Sequence, residues 1–177
     1  YMTLDSHSPQ IQGFFSIPGD VLYAYHVLID YMMELKKEMK NPVMVSPDLG
    51  FAKKARNYAT TLNLPLSFIE KRRPSNDPTS QALTLIGDVD GRDCIILDEE
   101  ISTGTTMAAA VNLIKEHGAR EITMFFVHPV LSPNAAEELV KLPVKQFVTT
   151  DTIPIPQKKK DIFGDRLKII SVASLLG

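Results

Sequence analysis

The sequence predicts an α/β fold: a mainly parallel sheet with helices on both faces. Three observations carry that expectation. Short, nearly all-apolar runs such as Cys94-Ile-Ile-Leu97 and Ile122-Thr-Met-Phe-Phe-Val127 alternate with longer stretches of helical period, as strands buried on both faces require. The chain has 177 residues, 44% of them apolar and 23% charged, enough to close one sizeable core. Finally, loops rich in Asp, Ser, Thr and Gly follow the strands, and a parallel sheet binds ligands at that carboxyl edge.

The elements follow in order. Tyr1 to Leu4 reads as the end of a strand. From Asp20 to Lys40, Val21, Leu22, Tyr25, Leu28, Tyr31, Met32, Leu35 and Met39 recur at helical spacing. Pro42 to Ser46 is a short apolar strand, Phe51 to Leu62 a helix and Leu66 to Glu70 a strand. Lys71 to Ser80 is polar and broken by Pro74 and Pro78, so it reads as a loop or flap. Ala82 to Ile86 suits an edge strand, Asp90-Gly91 a tight turn and Asp93 to Asp98 a strand. A helix from Thr106 to His117 stops at Gly118. Strand Glu121 to His128, helix Pro133 to Leu139, and strands Lys145 to Thr149 and Leu167 to Ser171 complete the series. Lys158, Lys159 and Lys160 read as a solvated loop.

Composition excludes several classes of partner. A net charge of −2 gives no case for nucleic acid. No apolar stretch reaches the length of a membrane span, and the amino end lacks a signal-peptide pattern. The single cysteine, Cys94, lies in an apolar strand with no adjoining cation, so a buried, inert thiol is expected. No disulfide can form within the chain, which fits a reducing cytoplasm.

Four loops carry chemistry. Asp98-Glu-Glu-Ile-Ser-Thr-Gly-Thr-Thr106 sets carboxylates beside four hydroxyl residues and the start of a helix. Carboxylates accept from sugar hydroxyls, while successive amides and a helix dipole hold a phosphate. One hydroxyl would suffice for capping. In Ser46-Pro-Asp-Leu-Gly-Phe51, Asp48 serves equally as a helix cap or as a carboxylate holding Mg²⁺ beside a polyphosphate bound on the loop amides. Lys71-Arg-Arg73 would neutralise charge in phosphoryl transfer, although a solvated cluster is the simpler reading in isolation. His7, in Asp5-Ser-His-Ser8, is a metal-ligand candidate, although a lone histidine is more often structural.

Taken together, DSHSPQIQGFF (5–15), VSPDLGFAKKAR (45–56), KRRP (71–74), IGDVDGRDCIILDEEISTGTT (86–106), HPVLS (128–132) and TTDTIP (149–154) resemble ribose-phosphate pyrophosphokinase. The resemblance covers most of the chain in the family's order. It implies a type I phosphoribosyltransferase-like α/β fold and transfer of pyrophosphate from MgATP to the anomeric hydroxyl of ribose 5-phosphate. Residues 18–177 would be the C-terminal phosphoribosyltransferase-like domain. Residues 1–17 would be a remnant of the N-terminal half, carrying its strand end and metal/ATP-site loop. The chain is thus expected to be a fragment, or one piece of a longer protein, with its activity alone in question.

Carried over by position, the resemblance makes His7 and Asp48 ligands of the Mg²⁺ on ATP, and Asp48, Leu49 and Gly50 the loop on the ATP phosphates. Asp98 and Glu99 would hold the ribose hydroxyls. Ser102, Thr103, Gly104, Thr105 and Thr106 would cradle the 5-phosphate. Lys71 and Arg73 would lie on a catalytic flap, stabilising the transferring group and departing AMP. A dimer-based hexamer in the cytoplasm is the assembly implied, with no nucleic acid and no membrane involved. The chain departs from the pattern at Glu99, where a second Asp is usual, at Ser102 for Asp, and at Thr105 for Gly, where a Cβ is expected to crowd the phosphate. Ser6 replaces a usual Leu, and Pro133-Asn134 a usual Gly-Pro. The competing readings are a non-catalytic synthetase-associated regulatory subunit, and a phosphoribosyltransferase that consumes the activated ribose.

Overall fold

The structure is a computed structural model that describes residues 1–72 and 82–177. Its main element is a seven-stranded sheet formed by β3 (Val43–Ser46), β4 (Leu66–Arg72), β5 (Ala82–Ile86), β6 (Asp93–Glu100), β7 (Glu121–His128), β8 (Gln146–Thr150) and β9 (Leu167–Ile170), in the order β5-β4-β3-β6-β7-β8-β9. Neighbours are parallel except β4 and β5, which run antiparallel with Phe68 opposite Ile86. The expected mainly parallel α/β sheet is therefore present, with the edge position of β5 as read.

Five helices cover it: α1 (Tyr25–Lys36), α2 (Ala52–Thr61), α3 (Thr105–Glu116), α4 (Ala135–Leu139) and α5 (Gln157–Phe163). Alternation within the strands divides the core between two faces. On β6, Cys94 and Ile96 pack with Val43, Met124 and Phe126 beneath Met107, Ala110, Val111 and Ile114 of α3. Ile95 and Leu97 face the other way, packing with Met44, Phe125 and Val148 beneath Leu28 and Met32 of α1 and Ala55 and Ala59 of α2. Each face is a complete apolar layer, which is why β6 and β7 read as continuous apolar runs.

Two expectations are corrected. Residues 20 to 40 do not form one helix. Asp20–Leu22 is a strand, β2, paired in parallel with β1 (Met2–Leu4), and only Tyr25–Lys36 is helical. The bonds deciding this are non-local: the Asp5 amide donates to the Leu22 carbonyl at 2.9 Å, and the Asp5 carboxylate accepts the Ala24 amide at 2.7 Å just before α1. Nor is 158–160 a solvated loop. These lysines lie on α5, which starts after Pro156 and buries Phe163 against Phe147 with ring centroids 5.0 Å apart. Pro156 is the N-cap, and its carbonyl accepts the Lys160 amide at 3.1 Å.

The parallel arrangement brings the ends of β3, β4, β6 and β7 to one edge. The loop after β1 reaches the same edge, where the His128 ring Nε2 lies 3.1 Å from the Asp5 carbonyl.

Candidate functional site

At this edge lies a cleft of about 240 Å³ lined by His7, Asp48, Asp98, Glu100 and the whole 101–107 segment. Its floor is the turn from β6 into α3. Gly104 immediately precedes the helix at φ +81°, a left-handed conformation that glycine adopts without strain. The positive φ falls on Gly104 and Thr105 is the first helical residue, so Thr105 carries no backbone strain. The Thr103 and Thr105 hydroxyls lie 3.1 Å apart, and the Thr105 amide donates to Thr103 Oγ1 at 3.5 Å.

Backbone pairing fixes this turn in place. Ile101 donates to the His128 carbonyl at 3.1 Å, Leu131 to Ile101 at 2.8 Å and Ser132 to Ser102 at 2.8 Å. Lys159 of α5 in turn donates to the Leu131 and Ser132 carbonyls. The 128–132 segment is thus a buttress for the turn, and Lys159 props the buttress.

Asp48 closes the opposite wall. Its Oδ1 accepts the Phe51 amide at 2.9 Å, and its carbonyl accepts the Ser46 hydroxyl at 2.7 Å. It therefore holds the turn that leads into α2 while lining the cleft. Leu49 is exposed in the same loop, and a Cβ at Gly50 would stand 3.3 Å from Asp48 Oδ1. Lys71, still within β4, reaches Thr106 with Nζ 3.5 Å from Oγ1. Arg73 lies outside the described residues.

Asp98 sits among these groups with its acidity displaced. Burial pushes its carboxyl up to about 7, reinforced by the charges of Asp48 and Glu100 and opposed by Lys71 and His7. Its Oδ1 accepts the Glu99 amide at 2.8 Å.

Glu99 is not brought to this cleft. It is buried, bonded by Lys54 of α2 and placed 3.3 Å from the largely exposed His7 ring, and it lines a separate cavity of about 770 Å³ with Asp5, Phe51, Lys54 and Tyr58. Desolvation lowers the Lys54 pKa, with Asp5 and Asp98 opposing, and desolvation raises that of Asp5. Lys54 in the larger cavity and Glu100 in the cleft are lining residues that sequence reasoning did not single out. The missing signal was the length of β6, which extends two residues past Asp98 and puts Glu100 on the Asp98 side.

Among the described residues, no group of three or more His, Cys, Asp or Glu is placed to hold a metal ion, and no helix is long and apolar enough to cross a membrane. Cys94 is buried and its thiol is pushed up to about 12, chiefly by desolvation, as an inert thiol should be.

A mainly parallel sheet with an acidic strand end feeding a hydroxyl-rich helix start gives the chain a type I phosphoribosyltransferase-like fold. A purine phosphoribosyltransferase from Pyrococcus horikoshii shares this fold with a TM-score of 0.52 at 20% identity, over 71% of this chain and 79% of that one. Residues 71–177 match the phosphoribosyl synthetase-associated domain, and the chain belongs to that family. A phosphoribosylpyrophosphate synthetase from Mycobacterium smegmatis superposes with a TM-score of 0.88 at 36% identity, over 99% of this chain and 55% of that one. Ribose-phosphate pyrophosphokinase of Caldanaerobacter subterraneus subsp. tengcongensis is 43% identical over 174 residues, which are 98% of this chain and 54% of the relative. The chain spans about half the length of the curated relatives it matches.

Proposed function

We propose that the chain is the sugar-phosphate half of a ribose-phosphate pyrophosphokinase. Residues 18–177 form the phosphoribosyltransferase-like domain, and residues 1–17 contribute a loop to the ATP side. The single observation that carries this reading is the convergence of Asp98, the Ser102–Thr106 turn, Asp48, His7 and Lys71 on one cleft. The turn offers amides and hydroxyls to a 5-phosphate, and Asp98 offers an acceptor to the ring hydroxyls.

In the reaction, the anomeric oxygen of ribose 5-phosphate bonds to the β-phosphorus of ATP. The bond from that phosphorus to the bridging oxygen breaks, AMP leaves with the bridging oxygen, and the hydroxyl proton is released. No covalent protein intermediate is needed. Binding the sugar by its phosphate and hydroxyls orients the attacking oxygen. Lys71 and Arg73 supply positive charge to the transferring group and departing AMP. The Asp48, Leu49 and Gly50 loop receives the ATP phosphates.

Asp48 suits Mg²⁺ as an oxygen donor, since this cation keeps waters and substrate phosphate oxygens and needs only one or two protein carboxylates. His7 joins it at the rim. The ion would neutralise charge on the ATP phosphates. A homo-oligomer in the cytoplasm, a dimer-based hexamer, completes the proposal.

Ribose 5-phosphate titrated into the chain tests the sugar half, and sugar-dependent AMP formation from MgATP tests the whole. Binding without AMP is expected of a half-length chain. A chain that binds no ribose 5-phosphate would sink the reading.

A further inference from the structure

Asp5 is held from three directions. Its amide donates to the Leu22 carbonyl at 2.9 Å, its carboxylate accepts the Ala24 amide at 2.7 Å, and its carbonyl lies 3.1 Å from His128 Nε2. The first two bonds tie it to β2 and the start of α1. The third ties it to the end of β7, across 123 positions of sequence. Asp5 has a φ of +44°, in the left-handed region that Asp enters more readily than most residues. His7 follows two residues later and lines the cleft.

Chemistry fixes the direction of the third bond. A carbonyl only accepts, so His128 Nε2 carries the proton. In the neutral ring Nδ1 is then an acceptor, and the Thr152 hydroxyl 3.0 Å away is its donor. The Val127 carbonyl receives the Thr150 hydroxyl at 2.8 Å, which leaves the Thr152 hydroxyl for the ring. The main chain of His128 has a second task. Its carbonyl accepts the Ile101 amide at 3.1 Å, where β6 passes into the Ser102–Thr106 turn.

One residue thus grips the His7 segment with its ring and the hydroxyl-rich turn with its backbone. We propose that His128, in its Nε2–H tautomer, is a positioning residue that sets the His7 segment against the Ser102–Thr106 turn. The inference rests on the reading of this cleft given above, with the metal and ATP phosphates on the His7 and Asp48 side and the sugar phosphate on the turn. The His7 side chain is largely exposed and meets Glu99 at 3.3 Å, so its placement depends mainly on the backbone that carries it. Groups behind a metal ligand that orient it in this way change metal affinity or activity by about 10- to 100-fold when removed.

Two measurements test this. Long-range nitrogen–proton NMR of the ligand-free chain, at a pH where the ring is neutral, reads the tautomer. His128 should show a protonated Nε2 and an unprotonated Nδ1, and the opposite tautomer overturns the inference without reference to any ligand. The second is the Mg²⁺ dependence of sugar-dependent AMP formation by the full-length protein carrying His128→Asn or His128→Gln. Both variants keep the main-chain bond to Ile101. The Asn amide falls short of the Asp5 carbonyl, whereas the Gln amide reaches the place of Nε2. His128→Asn should raise the Mg²⁺ concentration for half-maximal rate about 10-fold or more and leave the KM for ribose 5-phosphate unchanged. His128→Gln should recover most of that loss. An unchanged Mg²⁺ dependence in His128→Asn overturns the inference, and so does an equal rise in both constants, the mark of a generally loosened edge. No sugar-dependent AMP from the unsubstituted full-length protein overturns the reading of the cleft, and the inference with it.

Discussion

Lys54 on α2 and Glu99 on β6, 45 positions apart, form a direct ion pair in the lining of the larger cavity. The carboxylate is nearly buried, with its side chain 11% exposed, while the lysine side chain is 40% exposed. Removing the lysine leaves a buried charge without its main partner. Lys54→Met should destabilise the chain by about 1–2 kcal/mol, less than a fully buried pair because water reaches the lysine. Urea unfolding checks this, and an unchanged midpoint would show that the pair contributes little.

Asp98 makes stability depend on pH. Its folded pKa lies near 7, above the ordinary 3.8, so between those values the folded chain binds more protons than the unfolded one. Stability from this group is therefore fully present below about pH 4 and is lost as pH rises towards 7. Asp98→Asn should raise the midpoint at pH 8, by about 1 kcal/mol or more, while weakening ribose 5-phosphate binding. Thermal melts of parent and variant at pH 5 and pH 8 read the sign. A variant equally stabilised at both would contradict it.

Gly104 sets the turn on which the proposed phosphate cradle depends. At φ +81° a side chain is strained, and an added Cβ would meet Leu139 Cδ2 at 3.0 Å. Gly104→Ala should cost about 1–2 kcal/mol in stability and weaken inorganic phosphate binding by displacing the first helical amides. Loss of stability without loss of phosphate binding would separate the turn from the cradle.

Lys71 should act on rate more than on binding. In the full-length protein, Lys71→Ala is expected to lower sugar-dependent AMP formation by about 100-fold or more and to retain ribose 5-phosphate. An unchanged rate would remove Lys71 from the catalytic machinery.

Most of the sheet was legible because its strands are short apolar runs bounded by turn residues, a local signal. The strand Asp20–Leu22 was hidden because its partner is Met2–Leu4, and periodicity carries no information about a partner. The three lysines of α5 obscured a helix anchored by the single buried ring of Phe163. In the candidate site, the residue types were legible and their sides were not. Ending β6 at Asp98 instead of Glu100 suffices to hide which of two adjacent glutamates enters the cleft.

The chain carries its own reporter of strand opening. Its one cysteine, Cys94, is fully buried in β6, the strand that also bears Asp98 and Glu100. An alkylating reagent can reach that sulfur only when β6 is uncovered, so the labelling rate counts excursions from the native sheet. A ligand that binds at the end of β6 should slow labelling in proportion to its occupancy, turning a buried thiol into a gauge of the site above it.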